Sequence, residues 1–214
     1  MRLACDCVFW PGMTAQIKNM VEICDVCQAR SKKQQKETLR PTDIPELPWT
    51  LVAADLFQFG SDSFLFTVDY YSSFWEINWL QSSISRSIIG KLKQHFSRHG
   101  IPTTLRTDNR PQFMSQEFRA FKEQWQFNHE TSSPLFPRAN GKVENAVKIA
   151  KQLMEKARKA SSDQYLGLLA IRNTPTQGMQ SSPVQRLMNR RTRTTLPMHT
   201  ELLKPALNDN VQTN

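Results

Sequence analysis

Between Leu51 and Ser132 the hydrophobic periodicity changes in a fixed order, and that order limits the fold more than any other feature of the chain. Leu51–Phe59 is apolar except for Asp55 and Gln58. Residues 64–70 follow a Gly60-Ser61-Asp62 turn, and Trp75–Leu80 alternates Trp75, Ile77 and Trp79 with Glu76 and Asn78. Short gaps between three strand-like runs predict an antiparallel meander. Residues 85–99 then switch to helical spacing, with Ile88, Leu92 and Phe96 on one face and Gly100 and Pro102 as stops. A short fourth strand is expected at 103–107, a helix capped by Ser115 and carrying Phe118, Phe121 and Trp125, and a fifth strand at 127–132. The longest helix opens at Asn140, with Val143, Ala146, Val147, Ala150, Met154 and Ala157 as its apolar stripe, and a shorter one follows at 164–172. Three strands, helix, strand, helix, strand, then helices is a mixed α/β order around one five-stranded sheet.

The cysteines set the N-terminal part of the chain apart. All four lie at positions 5, 7, 24 and 27, and nothing later in the 214 residues repeats them. A disulfide framework would spread bridges across the fold, so a reducing compartment and a local metal site or its remnant fit better. Pro41, Pro45 and Pro48 punctuate a polar stretch after them, which places a boundary near residue 45. Twenty-eight Lys and Arg against nineteen Asp and Glu give +9, a surplus that favours a polyanionic partner. No apolar run is long enough for a membrane span, no leader is readable at the start, and no membrane partner is expected.

Three acids stand where local structure alone does not ask for them. Asp55 interrupts an apolar strand, Asp108 ends the fourth strand, and Glu144 lies one turn into the longest helix. A lone carboxylate in an apolar strand needs a partner or a cation, because burying it charged costs several kcal/mol. Each acid by itself is satisfied as readily by a turn, a cap or an arginine. Brought together, they would repel one another and raise each other's pKa unless a divalent ion were present, and hard oxygen donors suit Mg²⁺ or Mn²⁺ rather than zinc.

An ordered set of motifs now carries more than any single piece. Trp10-Pro11-Gly12-Met13, Cys24-x-x-Cys27-Gln28, Asp55, Thr107-Asp108-Asn109-x-Pro111-Gln112-Phe113 and Ser133-Pro134-x-x-Pro137-x-x-Asn140-Gly141-x-x-Glu144 occur in that sequence. Together they resemble the integrase of gypsy-type LTR retrotransposons over about residues 3–200, including Asn173-Thr174-Pro175 and Thr194-Thr195-Leu196-Pro197. Thirty-five residues separate Asp108 from Glu144, the spacing of the family's acidic triad.

The resemblance implies an RNase H-like core at 45–200, preceded at 1–44 by a helical zinc-module remnant and linker and followed at 201–214 by a polar tail. It implies that Asp55, Asp108 and Glu144 are catalytic and hold two Mg²⁺ or Mn²⁺ ions, trimming element ends and joining them to target DNA. It also implies DNA as partner, contacted by Asn140, Lys148 and Lys151, with a homo-oligomer as the active form and the nucleus as its location. The alternative is an impaired or domesticated integrase fragment that binds nucleic acid or protein. A ribonuclease H-type hydrolase would account for the acids but not for the Asn-Gly-x-x-Glu helix start.

Lys148 and Lys151 follow Glu144 at helical spacing and so share its face, although a charge run is as often a solvated surface. Arg186, Arg190, Arg191 and Arg193 make a second basic patch, and His95 and His99 read as a surface residue and a helix end. Arg110 departs from the family, which has Gly after Asp-Asn. If that turn requires a positive φ, Arg110 is strained there and misplaces Asp108, and its fixed cation near Asp108 would compete with a metal. Cys24 and Cys27 keep metal-ligand spacing, but the four histidines, at 95, 99, 129 and 199, all lie beyond them. Two ligands do not close a structural zinc site, so zinc analysis of chain purified without added metal should find well under about one equivalent. Stoichiometric zinc would mean that Cys5 and Cys7 complete the set.

Overall fold

The computed structural model describes residues 8–24, 44–131 and 141–205. The chain divides into two compact units, one of residues 41–151 and one of residues 1–40 with 152–214.

The first unit is built on strands β1 (Leu51–Phe59), β2 (Asp62–Asp69), β3 (Trp75–Leu80), β4 (Thr104–Thr107) and β5 (Asn128–Thr131) in the order β3-β2-β1-β4-β5. β1, β2 and β3 are antiparallel neighbours, whereas β4 joins β1 and β5 joins β4 in parallel. The meander follows from short turns, and the parallel strands from the helices that carry the chain back. These are α2 (Ser85–His99), the short α3 (Pro111–Met114) and α4 (Gln116–Trp125). Helix α4 is capped as expected, with the Ser115 hydroxyl accepting from the Phe118 N–H at 3.1 Å. Ile88, Leu92 and Phe96 are buried, and Phe96, Phe118, Phe121 and Phe127 interlock with ring centroids 5.1–5.8 Å apart.

Register assigns the two faces of the sheet. Ala54 pairs with Thr67 of β2, and Thr67 Oγ1 lies 3.0 Å from His95 Nδ1, so α2 covers the face of Val52, Ala54 and Leu56. The opposite face carries Asp55 and Phe57, paired with Phe66 and Phe64. Helix α5 (Gly141–Lys159) covers that face at its N-terminal half, where Val143 and Ala150 are fully buried and Lys151 Nζ stands 5.6 Å above the Phe57 ring. The Lys142 ammonium donates to the Tyr70 carbonyl and lies over its ring, which ties the start of α5 to the end of β2.

Two expectations are corrected here. His95 is no surface residue: it is fully buried, with Nδ1 on Thr67 and Nε2 on Asn78 Oδ1. A polar pair reaching from the sheet gives it a satisfied place under the helix. In β3 the anticipated alternation is inverted at its end, because Glu76 is buried and Trp79 is exposed. Glu76 is held by His99 Nε2 at 3.0 Å, and Trp79 donates to Asp62 at 3.1 Å on the sheet edge.

In the second unit, helix α1 (Met13–Glu22) starts from Gly12, whose φ of 81° suits glycine, and buries Met13. Helices α6 (Gln164–Asn173) and α7 (Pro183–Met188) are followed by a 3₁₀ turn at Thr200–Leu203. Asn173 organises its surroundings: its amide donates to the Leu169 carbonyl at 2.9 Å, and its oxygen accepts from the Thr192 N–H at 3.2 Å. Arg186 is not simply part of a basic patch, since Nη2 donates to Thr176 at 2.8 Å and Nη1 to the Ser181 carbonyl. Among the described residues no helix is long and apolar enough to cross a membrane.

The His95 network has a measurable weight. His95→Ala should destabilise the chain by about 2–4 kcal/mol in urea unfolding, because it opens a cavity and strips the buried Thr67 and the half-buried Asn78 of a partner.

Candidate active site

Asp55 reaches its position through strand register. β1 and β4 run parallel, with Leu51 on Thr104, Val52 on Leu105 and Ala53 on Arg106. Carrying that register two residues further sets Asp55 level with Asp108, the residue after the end of β4. Side chains alternate along a strand, so both acids emerge on the face covered by α5. Glu144 lies in the first turn of that helix and is exposed.

The Asp55 carboxylate is mostly buried and accepts the Leu56 N–H at 2.7 Å. Burial pushes its pKa above the ordinary carboxylate range, and the charges of Asp108 and Glu144 push it the same way. Against them act the Arg110 guanidinium, the stronger of the lowering influences, and the Leu56 N–H. Asp55 thus senses both of the other acids. Among the described residues, however, no three His, Cys, Asp or Glu side chains are grouped closely enough to hold one ion.

Arg110 stands between the two strand acids. Its Nε is 2.9 Å from Asp108 Oδ2, its Nη2 is 3.8 Å from Asp55 Oδ1, and its Nη1 donates to the Leu56 carbonyl at 2.7 Å. Its backbone N–H also donates to Asp108 Oδ1 at 3.2 Å. The expected backbone strain is absent: Arg110 has φ −61° and ψ 145°, the extended geometry that a following proline favours, and caps α3 with Pro111 in the first turn. The turn asks for no positive φ, so Arg110 acts on the acids through its guanidinium and its backbone N–H and not through strain.

An open cleft of about 570 Å³ adjoins these groups, lined by Asp55, Phe57, Arg110, Gln112, Val147 and Lys151 among others. Lys151 therefore reaches the site, while Lys148 is exposed one turn earlier. Asn140 and Cys27 lie outside the described residues, as do Cys5 and Cys7; Cys24 is half-buried just beyond α1. Sequence reasoning missed His129. Its Nε2 is 2.8 Å from Thr107 Oγ1, which also donates to the Asp108 carbonyl at 2.8 Å, so it braces the strand end that carries Asp108. Burial first, and Lys122 second, hold the His129 imidazole below its ordinary pKa.

No family model matches the chain. An uncharacterized protein of Caenorhabditis elegans is 32% identical over 197 residues, which is 89% of this chain and 16% of that protein. The Gag-Pro-Pol polyprotein of mouse mammary tumor virus is 26% identical over 147 residues, 68% of this chain and 8% of the polyprotein. The chain spans less than a fifth of the length of either relative. Among solved structures, the HTLV-2 integrase catalytic core in complex with magnesium superposes with a TM-score of 0.57 at 21% identity, covering 66% of this chain and 98% of that one. The chain has the fold of a retroviral integrase catalytic core and is similar in sequence to a segment of Gag-Pro-Pol polyproteins.

The simian T-cell lymphotropic virus intasome in complex with PP2A regulatory subunit B56 gamma matches more of the chain, 92% of it and 72% of the intasome chain, with a TM-score of 0.63 at 21% identity. The expected RNase H-like α/β architecture with a five-stranded mixed sheet is borne out by the strand order and by this match of folds. Its strand acids give a pH signature. Asp55 has a folded pKa above its unfolded value, so the folded state binds the extra proton and stability falls as pH rises through that window. Asp55→Asn should raise the melting temperature at neutral pH in chelated buffer, and the gain should vanish below the carboxylate range. A gain independent of pH would place its cause elsewhere.

Proposed function

We propose that the chain is the catalytic core of a gypsy-type retroelement integrase, which trims element DNA ends and joins them to target DNA. The observation that supports this reading is the level register of Asp55 with Asp108 on the sheet face covered by α5, the helix that carries Glu144. Asp55 responds electrostatically to both of the other acids beside a cleft that also carries Lys151. The donor chemistry suits a divalent ion: Asp55, raised in pKa, and Asp108 are hard carboxylates that share one guanidinium, and Glu144 is in electrostatic reach of Asp55. Asp55, Asp108 and Glu144 would hold it. Bound there, a pair of such ions supplies Lewis acidity for attack of water or a DNA 3′-hydroxyl on a phosphodiester. The magnesium held by the HTLV-2 integrase core supports the same cation class.

The chain's own residues do the rest. Asp55 and Asp108 are fixed by paired strands, so their positions cost no ordering on substrate binding. Lys151 offers an ammonium at the cleft wall and Lys148 a second one on the exposed helix face, where a phosphate backbone would run past the acids. The intasome and the dimeric and trimeric HTLV-2 core structures support a homo-oligomer as the working form. A second reading, a DNA-binding module that no longer catalyses, is favoured by one observation, the Arg110 guanidinium lodged against Asp55 and Asp108.

Strand transfer of element-end duplexes by the purified chain, with Mg²⁺ and with Mn²⁺, separates the two. Asp55→Asn, Asp108→Asn and Glu144→Gln should each lower product by about a hundredfold or more without weakening DNA binding. Binding without any strand transfer would favour the second reading. Replacing Lys148 and Lys151 together by Ala should weaken DNA binding alike for all sequences and flatten its log–log salt slope by about two. An unchanged slope would leave both lysines as solvated surface.

A further inference from the structure

We infer that Arg110 sets the affinity of this site for divalent cations, its guanidinium serving as an internal counter-ion that a cation must displace to reach Asp55 and Asp108 together. The inference rests on the reading that these carboxylates are the cation site. It adds a residue that controls the site without being one of its ligands.

The geometry is specific to a guanidinium. Arginine presents its donors in a rigid planar fork, and here the three nitrogens diverge onto three acceptors: Nε to Asp108, Nη2 toward Asp55, and Nη1 to the Leu56 carbonyl. The Leu56 contact is to a neutral backbone oxygen, so it anchors the fork independently of the acids. Arg110 is launched toward the site because Pro111 holds its backbone extended, and its own N–H clasps the other oxygen of Asp108. A guanidinium stays charged at every accessible pH, so no change of pH withdraws it.

The same groups cannot serve two cations at once. An octahedral Mg²⁺ needs carboxylate oxygens at about 2.0–2.1 Å, and a fixed positive charge a few ångströms away opposes its approach. Displacement is nevertheless open to the chain, since the Arg110 side chain is 46% exposed and can swing into solvent once the two acids are otherwise neutralised. Arg110 therefore raises the cation concentration at which the site fills, and does not close the site.

Mn²⁺ binding to the whole chain, read as loss of the free-ion signal in electron paramagnetic resonance, tests this without any assay of activity. Arg110→Gly should bind Mn²⁺ about tenfold or more tightly than the parent, since a unit charge within a few ångströms is removed from a half-exposed site. Arg110→Gln removes the charge and keeps a donor for Leu56, and it should show the same tightening. Arg110→Lys, a flexible point charge without the fork, should fall between. Asp108→Asn in the Arg110→Gly background should abolish the gain, which places the ion at the strand acids. Equal affinity in the parent and in Arg110→Gly and Arg110→Gln would overturn the role of Arg110 and leave the cation site standing. Absence of Mn²⁺ binding from all four proteins would overturn both.

Discussion

Parallel pairing of β1 with β4 is the constraint on which the rest of the first unit depends. β1 is buried on both faces, with Val52, Ala53 and Ala54 almost wholly excluded from solvent. A strand in that setting can hold only one register, because a one-residue slip would exchange the packed face for the other. The register that satisfies its antiparallel partner β2 and its parallel partner β4 brings Asp55 level with the end of β4. The acids are thus close because hydrophobic side chains elsewhere on the strands have nowhere else to go. Helix α5 completes the arrangement through the same burial, its Val143, Val147 and Ala150 lying on the face from which the strand acids emerge.

Charge is balanced locally, by few groups. Asp69 and Asp55 are both acids on interior strands, yet their surroundings differ in kind. Asp69 is fully buried and accepts the Trp49 N–H at 3.0 Å and the Ser72 N–H at 2.8 Å, so its charge closes a turn. Asp55 has one short backbone donor and two carboxylates in electrostatic reach, with a guanidinium at 3.8 Å as its nearest compensation. A turn carboxylate is satisfied by the chain that surrounds it, whereas the Asp55 carboxylate has one backbone donor and, for its charge, a side chain that can leave.

The element order, the caps and the buried stripe were legible because they are local. Apolar residues at helical spacing buried as expected at Ile88, Leu92 and Phe96, and Ser115 capped its helix. The unusual position of Asp55 was legible too, as one acid in an apolar run. What sequence could not give was the partner across space. His95 read as surface because the spacing of a helix says nothing of Thr67 and Asn78, which come to it from two strands. Of the two effects that Arg110 suggests in place of glycine, backbone strain is absent, and the charge stands between Asp108 and Asp55, a second acid that chain spacing does not name. The bracing contact of His129 on Thr107 joins residues on neighbouring strands, and no spacing rule connects them. Arg186 reads in sequence as part of a four-arginine basic patch, because its acceptors, the Ser181 carbonyl and Thr176, are set by the turn before α7.

Stability alone does not account for the acids. The interlocked phenylalanines around Phe118 and Phe121 and the buried stripe of α5 drive folding through apolar burial, and none of that needs a carboxylate at position 55. A charged group with a raised carboxylate pKa is a cost to the folded state, and the like charges beside it increase that cost. An apolar or amide side chain would pack on the same strand without it. Arg110 softens the cost only in part, from a distance too long for a hydrogen bond to Asp55 and with nearly half its side chain in water. A sheet that carries such a group on its central strand gives up folding stability to place negative charge there, and the proposed cation site would relieve a cost that the internal guanidinium relieves only in part.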